Sequence, residues 1–335
     1  MKKRYLLAGV AGVVAGAMAT KLLARPKDVS WTKSLAFIYY PEYSWFTTVG
    51  GVRIHYQEAG DENAPALVLI HGFISSTLIW SQVFLPLAEA GFHVIAIDLP
   101  GYGYSDKPND ARYTIDAQAH AVVSLMDRLG LEEATIVGAS YGGAIAATIA
   151  LDYPERVARL VLIGAVSNDE PKKKVLLRIL RLSLIGDIAT PLFLSSRWIL
   201  RKRMQKMYRR IGTVLDERML AARHHLLATA NTHRAMIRTV RRWNANRIQR
   251  EAHLIHQPTM IIWGEDDTHI PLVEAFRLRD AISKARLVIF RNCGHLPPTE
   301  NPEKFVEVVR DFCKAAEPAV EKPLTLEIKK RQRLP

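Results

Sequence analysis

Three residue types that together let a hydroxyl attack a carbonyl carbon stand at the ends of apolar, strand-like runs in this chain. Gly138-Ala139-Ser140-Tyr141-Gly142 follows Ala134-Thr135-Ile136-Val137, which reads as a buried strand. It precedes a small, apolar stretch to Leu151 that reads as a tightly packed helix. A serine at such a turn is presented at its tip, and a side chain at 138 or 142 would collide where strand and helix cross. The hydroxyl is a poor nucleophile until a base takes its proton, and a carboxylate must fix that base's tautomer. Thr259 to Gly264 is a short apolar strand running into Glu265-Asp266-Asp267, and Arg286 to Phe290 is another, followed by Asn292-Cys293-Gly294-His295. Both candidates lie just past the carboxyl end of a strand, where open parallel sheets hold their sites.

The order Ser, Asp, His differs from the chymotrypsin and subtilisin orders and is that of the α/β-hydrolases. Residues from about 47 to 314 resemble an α/β-hydrolase of the esterase/lipase and C–C hydrolase branch. Four motifs carry the resemblance: His71-Gly72-Phe73, Asp98-Leu99-Pro100-Gly101-Tyr102-Gly103-Tyr104-Ser105, the serine turn, and the pair formed by Gly264 to Pro271 with Cys293-Gly294-His295. The resemblance implies Ser140 as nucleophile and His295 as base, then as acid to the leaving group. It places the acid three residues after Gly264, at Asp267, with Asp266 and Asp169 as rivals. The oxyanion donors are expected at the backbone N–H groups of Phe73 and Tyr141. No cofactor and no metal are expected, and His224-His225 lack Cys or His partners at zinc-like intervals. His71 is expected to hold its loop rather than carry protons, and His269, in the acid loop, to lie at the surface.

Serine at the turn argues against epoxide hydrolases and haloalkane dehalogenases of this resemblance, which carry aspartate there. Ala139 stands where many relatives have histidine, and Phe73-Ile74-Ser75-Ser76 replaces the Gly-rich segment common in C–C hydrolases. That leans toward esters.

Strand and helix patterns must position these residues. Gly51 to Glu58 alternates after a Gly-Gly turn and reads as a hairpin strand. Ala66 to Ile70, Val94 to Ile97 and Ala158 to Ile163 are apolar strands, while Trp80 to Ala90 and Ile115 to Leu129 have helical spacing. The alternation predicts an α/β class fold, a doubly wound, mostly parallel sheet spanning 47–166 and 251–314. Between 167 and 250 the strand rhythm stops, so this interval is expected to be an inserted helical cap. From 171 to 250 there are 20 Lys/Arg against 3 Asp/Glu, a net of +17, whereas the whole chain carries +13. Everything outside this interval therefore sums to −4. Such a face, interspersed with Trp198, Met204, Met207 and Trp243, suits an anionic membrane surface or anionic substrates. The bland reading is a solvated basic surface. No nucleic-acid motif accompanies the charge, so no nucleic-acid partner is expected.

The 335 residues suffice for one large domain with an insertion. Cys293 and Cys313 make no disulfide framework. Met1-Lys2-Lys3-Arg4 opens residues 1–24, a stretch long enough as a helix to cross a hydrocarbon core of ~30 Å. It reads as a membrane anchor; the rivals are a signal segment cleaved near Ala17-Met18-Ala19 and a buried helix. The arm at 25–46 holds seven of the chain's 27 Trp, Tyr and Phe, which either meet a membrane interface or pack on the domain. Residues 315–335 read as a disordered basic tail. The expectation is a membrane-associated serine hydrolase of carboxylic esters, acting on small-molecule or lipid-like substrates. The alternatives are a C–C hydrolase of diketone-like ring-cleavage products and a non-catalytic ligand-binding protein.

Overall fold

Strands that are apolar along their whole length can be buried only if both faces of the sheet are covered, and that requirement shapes the molecule. The computed structural model describes residues 31–109, 112–170, 178, 196–208 and 217–315. Its strands are β1 (Ser44–Val49), β2 (Val52–Ala59), β3 (Ala66–Ile70), β4 (His93–Ile97), β5 (Ala134–Ala139), β6 (Val157–Ile163), β7 (Thr259–Gly264) and β8 (Ala285–Phe290). They form an eight-stranded sheet in the order β1-β2-β4-β3-β5-β6-β7-β8. The β1–β2 and β2–β4 pairs are antiparallel and all others parallel. Every residue of β4, β5 and β7 is buried.

The helices used below are α1 (Phe84–Glu89), α2 (Ile115–Arg128), α3 (Tyr141–Asp152), α4 (Arg197–Met207), α5 (Glu217–Leu227), α6 (Thr232–Arg242), α7 (Asn246–Glu251), α8 (Val273–Ala281) and α9 (Pro302–Lys314). Helices α4 to α7 fall between β6 and β7, as expected of an inserted helical cap. This is the α/β-hydrolase fold.

Two elements differ from the sequence expectation. The helix expected over Trp80 to Ala90 is a 3-10 turn, Thr77–Trp80, followed by the shorter α1. Pro86 offers no N–H and belongs in a first helical turn, so α1 starts only at Phe84. The sheet begins at Ser44, three residues before the expected start of the core, so Trp45 and Phe46 are strand residues rather than arm. Of the remaining aromatics, Trp31 meets Phe46 edge-on at 4.8 Å and Tyr104 at 5.5 Å, and Phe37 stacks on His225 of α5. The described arm thus packs on the domain, while Trp45 stays 53% exposed. Among the described residues no helix is long and apolar enough to cross a membrane. The anchor or signal segment expected at 1–24 lies outside the described residues, as does the tail from 316 onward.

One buried carboxylate ties three elements together beneath the site. Asp98, at the end of β4, accepts the N–H of Thr77 at 2.7 Å, that of Tyr104 at 2.9 Å and Nδ1–H of His55 on β2 at 2.7 Å. Burial pushes its pKa up, but the charge and hydrogen bond of His55, with His71 and the Tyr104 amide, outweigh burial and hold it at about 2. A carboxylate with a depressed folded-state pKa stabilises the fold above its unfolded value, and that contribution is lost as pH falls through the folded value. Asp98→Asn is therefore expected to cost about 3–5 kcal/mol near neutrality, the range for breaking a buried pair. The deficit shrinks as pH drops from about 4 toward 2. Urea denaturation across that range measures both.

Candidate active site

Ser140 stands between the last residue of β5 and the first of α3, with φ 56° and ψ −116°. A non-glycine residue there costs about 1–3 kcal/mol and persists only when its surroundings hold it. They do: its N–H donates to Ile163 O on β6 at 2.8 Å, and its carbonyl accepts from Gly143 and Val166, each at 3.0 Å. The two glycines flanking the turn have no room for a side chain. A Cβ at Gly138 would overlap the Gly142 carbonyl, and one at Gly142 would overlap the carbonyl oxygen of Ile70 and lie 2.5 Å from that of His71. This close crossing sets α3 against β3 and leaves Ser140 half-buried at the turn's tip.

The crossing also brings the loop after β3 to the serine. A Cβ on Gly72 would stand 3.0 Å from Ser140 Cβ, so the His71-Gly72-Phe73 segment runs directly against Ser140. Among the described residues neither the Phe73 nor the Tyr141 N–H has an acceptor, and Tyr141 is the first residue of a helix, whose leading N–H groups lack intrahelical partners. His71 holds this loop to the end of β4: Nδ1–H donates to Gly72 O at 2.8 Å, and Nε2 accepts from Leu99 N–H at 3.1 Å. Both nitrogens are thereby spoken for in the neutral tautomer, and burial lowers the pKa of His71 further.

Asp267 and His295 come from the loops after β7 and β8. His295 Nδ1–H donates to Asp267 Oδ2 at 2.7 Å, with the two side chains 5% and 0% exposed. Asp267 Oδ1 accepts the N–H groups of His269 at 2.6 Å and Ile270 at 3.0 Å. Burial pushes the Asp267 carboxyl up, but His295 beside it and these two amides outweigh burial and hold it below its ordinary value. The loops are pressed together at Gly264, where a Cβ would lie 2.5 Å from Cys293 O. The end of β6 links this couple to the serine. Ile163 O takes the Ser140 N–H, and a Cβ on the next residue, Gly164, would be 3.2 Å from His295 Cε1 and Nδ1.

The rival acids are placed elsewhere. Asp169 accepts from Ala245 N–H at 2.9 Å and Asn246 Nδ2 at 3.1 Å, fastening the exit of β6 to the cap. Asp266 is exposed and donates its N–H to Cys293 O.

Three features escape sequence reasoning. His269, expected at the surface, is half-buried with its ring stacked on that of His295, centroids 5.0 Å apart. The last carbonyls of α4 bind the loops after β7 and β8: Met207 O accepts His295 N–H at 3.1 Å, and Lys206 O accepts the Thr268 hydroxyl at 3.2 Å. Arg223 on α5 is 8% exposed and lines a small cavity with Ile74, Ser75, Ser76 and Tyr102. Among the described residues no carboxylate pairs with it. Burial and then the charge of Arg223 lower the pKa of nearby Arg203 to about 10. Within a segment carrying 20 basic residues, nothing local marks Arg223 as the buried one beside this cavity. Among the described residues no cluster of three or more His, Cys, Asp or Glu side chains gathers that could hold a metal.

A family model described as alpha/beta hydrolase fold matches residues 65–302. The chain is 30% identical over 287 residues to a 2-hydroxymuconate semialdehyde hydrolase of Pseudomonas sp., covering 83% of this chain and 96% of that protein. It is 29% identical over 267 residues to a 2-hydroxy-6-oxononadienedioate/2-hydroxy-6-oxononatrienedioate hydrolase of Paraburkholderia phymatum, covering 78% and 91%. Among solved structures, a membrane phospholipase A superposes with a TM-score of 0.69 at 27% identity, covering 93% of this chain and 98% of that one.

Proposed function

The chain belongs to the α/β-hydrolase fold family, and from that premise we propose that it is a serine hydrolase cleaving lipid-like carboxylic esters through an acyl-enzyme, at or near a membrane. The observation that carries the chemistry is the Asp267–His295 hydrogen bond, set against Gly164 while Ile163 holds Ser140. With Nδ1–H bound to Asp267, Nε2 of His295 is left as the acceptor for the serine proton. Ser140 Oγ attacks the ester carbonyl, and the oxyanion meets the N–H groups of Phe73 and Tyr141. His295 returns the proton to the departing alkoxide, leaving an acyl group on Ser140. Water, deprotonated by the same imidazole, then attacks the acyl carbon and frees the acid.

Support for a lipid setting comes from α4. Arg197–Met207 contains no acidic residue, and Trp198, Lys202 and Lys206 are exposed at spacings of four, so they share one face. Trp198 is 68% exposed. An aromatic ring with cations along one side of a helix fits an anionic interface. The phospholipase likeness, which reaches across 93% of the chain, points the same way.

A second reading, hydrolysis of a carbon–carbon bond in a ring-cleavage product, is favoured by Arg223. A buried guanidinium that meets no carboxylate among the described residues suits an anion, and the substrate in the name of the Paraburkholderia relative is a dioate. In the ester reading the same guanidinium serves an acidic group of the lipid.

The test is a panel of aryl esters of rising acyl length beside a ring-cleavage dienone, with the full chain on neutral and on phosphatidylglycerol-containing vesicles. Esters are expected to turn over faster than the dienone, with an added gain on anionic vesicles. Preference for the dienone reverses the ranking. Lysines near an anionic surface contribute about 1 kcal/mol each. Lys202→Ala is therefore expected to weaken the anionic gain by roughly fivefold in lipid concentration, while the vesicle-free rate is unchanged.

A further inference from the structure

The base has a second imidazole against its face. We propose that His269 is a positioning residue for His295: its ring holds the base in place, and its charge sets how far into acid the base stays neutral. This rests on the reading of His295 as the base. The two rings lie 5.0 Å apart with planes 22° from parallel, which is a stacked arrangement. One three-residue stretch therefore grips His295 twice, with the Asp267 carboxylate at Nδ1 and the His269 ring on its face. The grip is internally braced, because the His269 N–H donates to Asp267 Oδ1 at 2.6 Å.

The surroundings separate the two imidazoles. His295 is 5% exposed, whereas His269 is half-buried and lines a polar cleft of about 720 Å³. His295 and Asp267 stand against His269 on the site side, Lys206 of α4 meets the adjacent Thr268 through its carbonyl, and the cleft that His269 lines also holds Asp169, Glu170 and the Glu274–Arg277 ion pair. His269 is the more solvent-accessible of the two rings. Once charged, it opposes a second proton on His295. Two unit charges about 5 Å apart, at effective dielectric constants from about 80 down to about 20, shift a pKa by roughly half a unit to two units. Serine activation requires neutral His295, so the sign is determined: a charged His269 extends activity toward lower pH.

Variants at 269 carry opposite signs. His269→Phe keeps a flat ring, removes the charge and offers an aromatic face that favours an imidazolium. The acid limb of kcat/KM is expected to move up by about half a unit or more. His269→Lys carries a cation throughout and is expected to move the limb down. His269→Gln removes both ring and charge, so it should lower kcat as well as raise the limb.

The experiment is the pH dependence of fluorophosphonate labelling of Ser140 and of ester hydrolysis, in the full chain and these three variants. Circular dichroism confirms that each is folded. A merely structural role for His269 predicts a uniform loss of rate with an unmoved limb. Labelling that depends on Ser140, with the same acid limb in all folded variants, overturns the inference and leaves the triad reading standing. Labelling that survives Ser140→Ala overturns the triad reading itself.

Discussion

Ser140→Ala is expected to abolish turnover of a medium-chain aryl ester, by roughly a millionfold in kcat, without unfolding the protein. The size follows from the mechanism: without the hydroxyl no acyl-enzyme forms, and what remains is the rate that bound substrate and the Phe73 and Tyr141 amides sustain with water as nucleophile. The fold should survive because alanine has the same backbone restrictions at φ 56° as serine, and the bonds that hold residue 140 are made by its N–H and carbonyl. Its thermal midpoint should therefore match the parent's. The measurements are initial rates at enzyme concentrations high enough to see the residual rate, and a melting curve. Retention of substantial activity in a folded Ser140→Ala protein would refute nucleophilic catalysis at this residue.

Asp267→Asn should cost about ten-thousandfold in kcat although it barely changes the shape of the loop. The asparagine carbonyl still accepts the N–H groups of His269 and Ile270, which now meet Asp267 Oδ1. What changes lies 2.7 Å away at His295 Nδ1. An amide NH₂ there needs an acceptor, so the imidazole shifts its proton to Nε2, the nitrogen that must be bare to deprotonate Ser140. The loss is expected mainly in kcat rather than in KM, because no substrate contact is removed. Asp169→Asn is the matched control. Its carboxylate binds Ala245 and Asn246 of the cap, so kcat should stay within about tenfold, which is some 1.4 kcal/mol of barrier. If the two variants reversed these effects, the acid would belong to the loop after β6.

The parts of this site carried by strand ends were legible in the sequence, because an apolar run tells both where a parallel strand lies and where it stops. Ser140, Asp267 and His295 each follow such a stop. The flanking glycines were legible for the same reason, since close crossing leaves only one residue type. The cap was visible as an interruption and as a charge, but its internal relations were not. In α4 the basic residues Arg197, Arg201, Lys202, Arg203 and Lys206 fall on several faces, so helical periodicity could not say which side meets solvent. The burial of Arg223 away from any carboxylate among the described residues is a through-space property of several elements, and composition averages it away. His269 looked like any loop polar residue; only the curl of Asp267 through Ile270 around one carboxylate turns its ring toward His295. The start of β1 was missed because Ser44 to Val49, at the sheet edge and only half-buried, lacks the continuous apolar run of an inner strand.

The α4 carbonyls that receive His295 N–H and the Thr268 hydroxyl join the end of a cap helix to the loops that carry His295 and Asp267. Backbone acceptors cannot be deleted by a side-chain substitution, so this junction tolerates sequence change at Lys206 and Met207 as long as the last turn of α4 keeps its course.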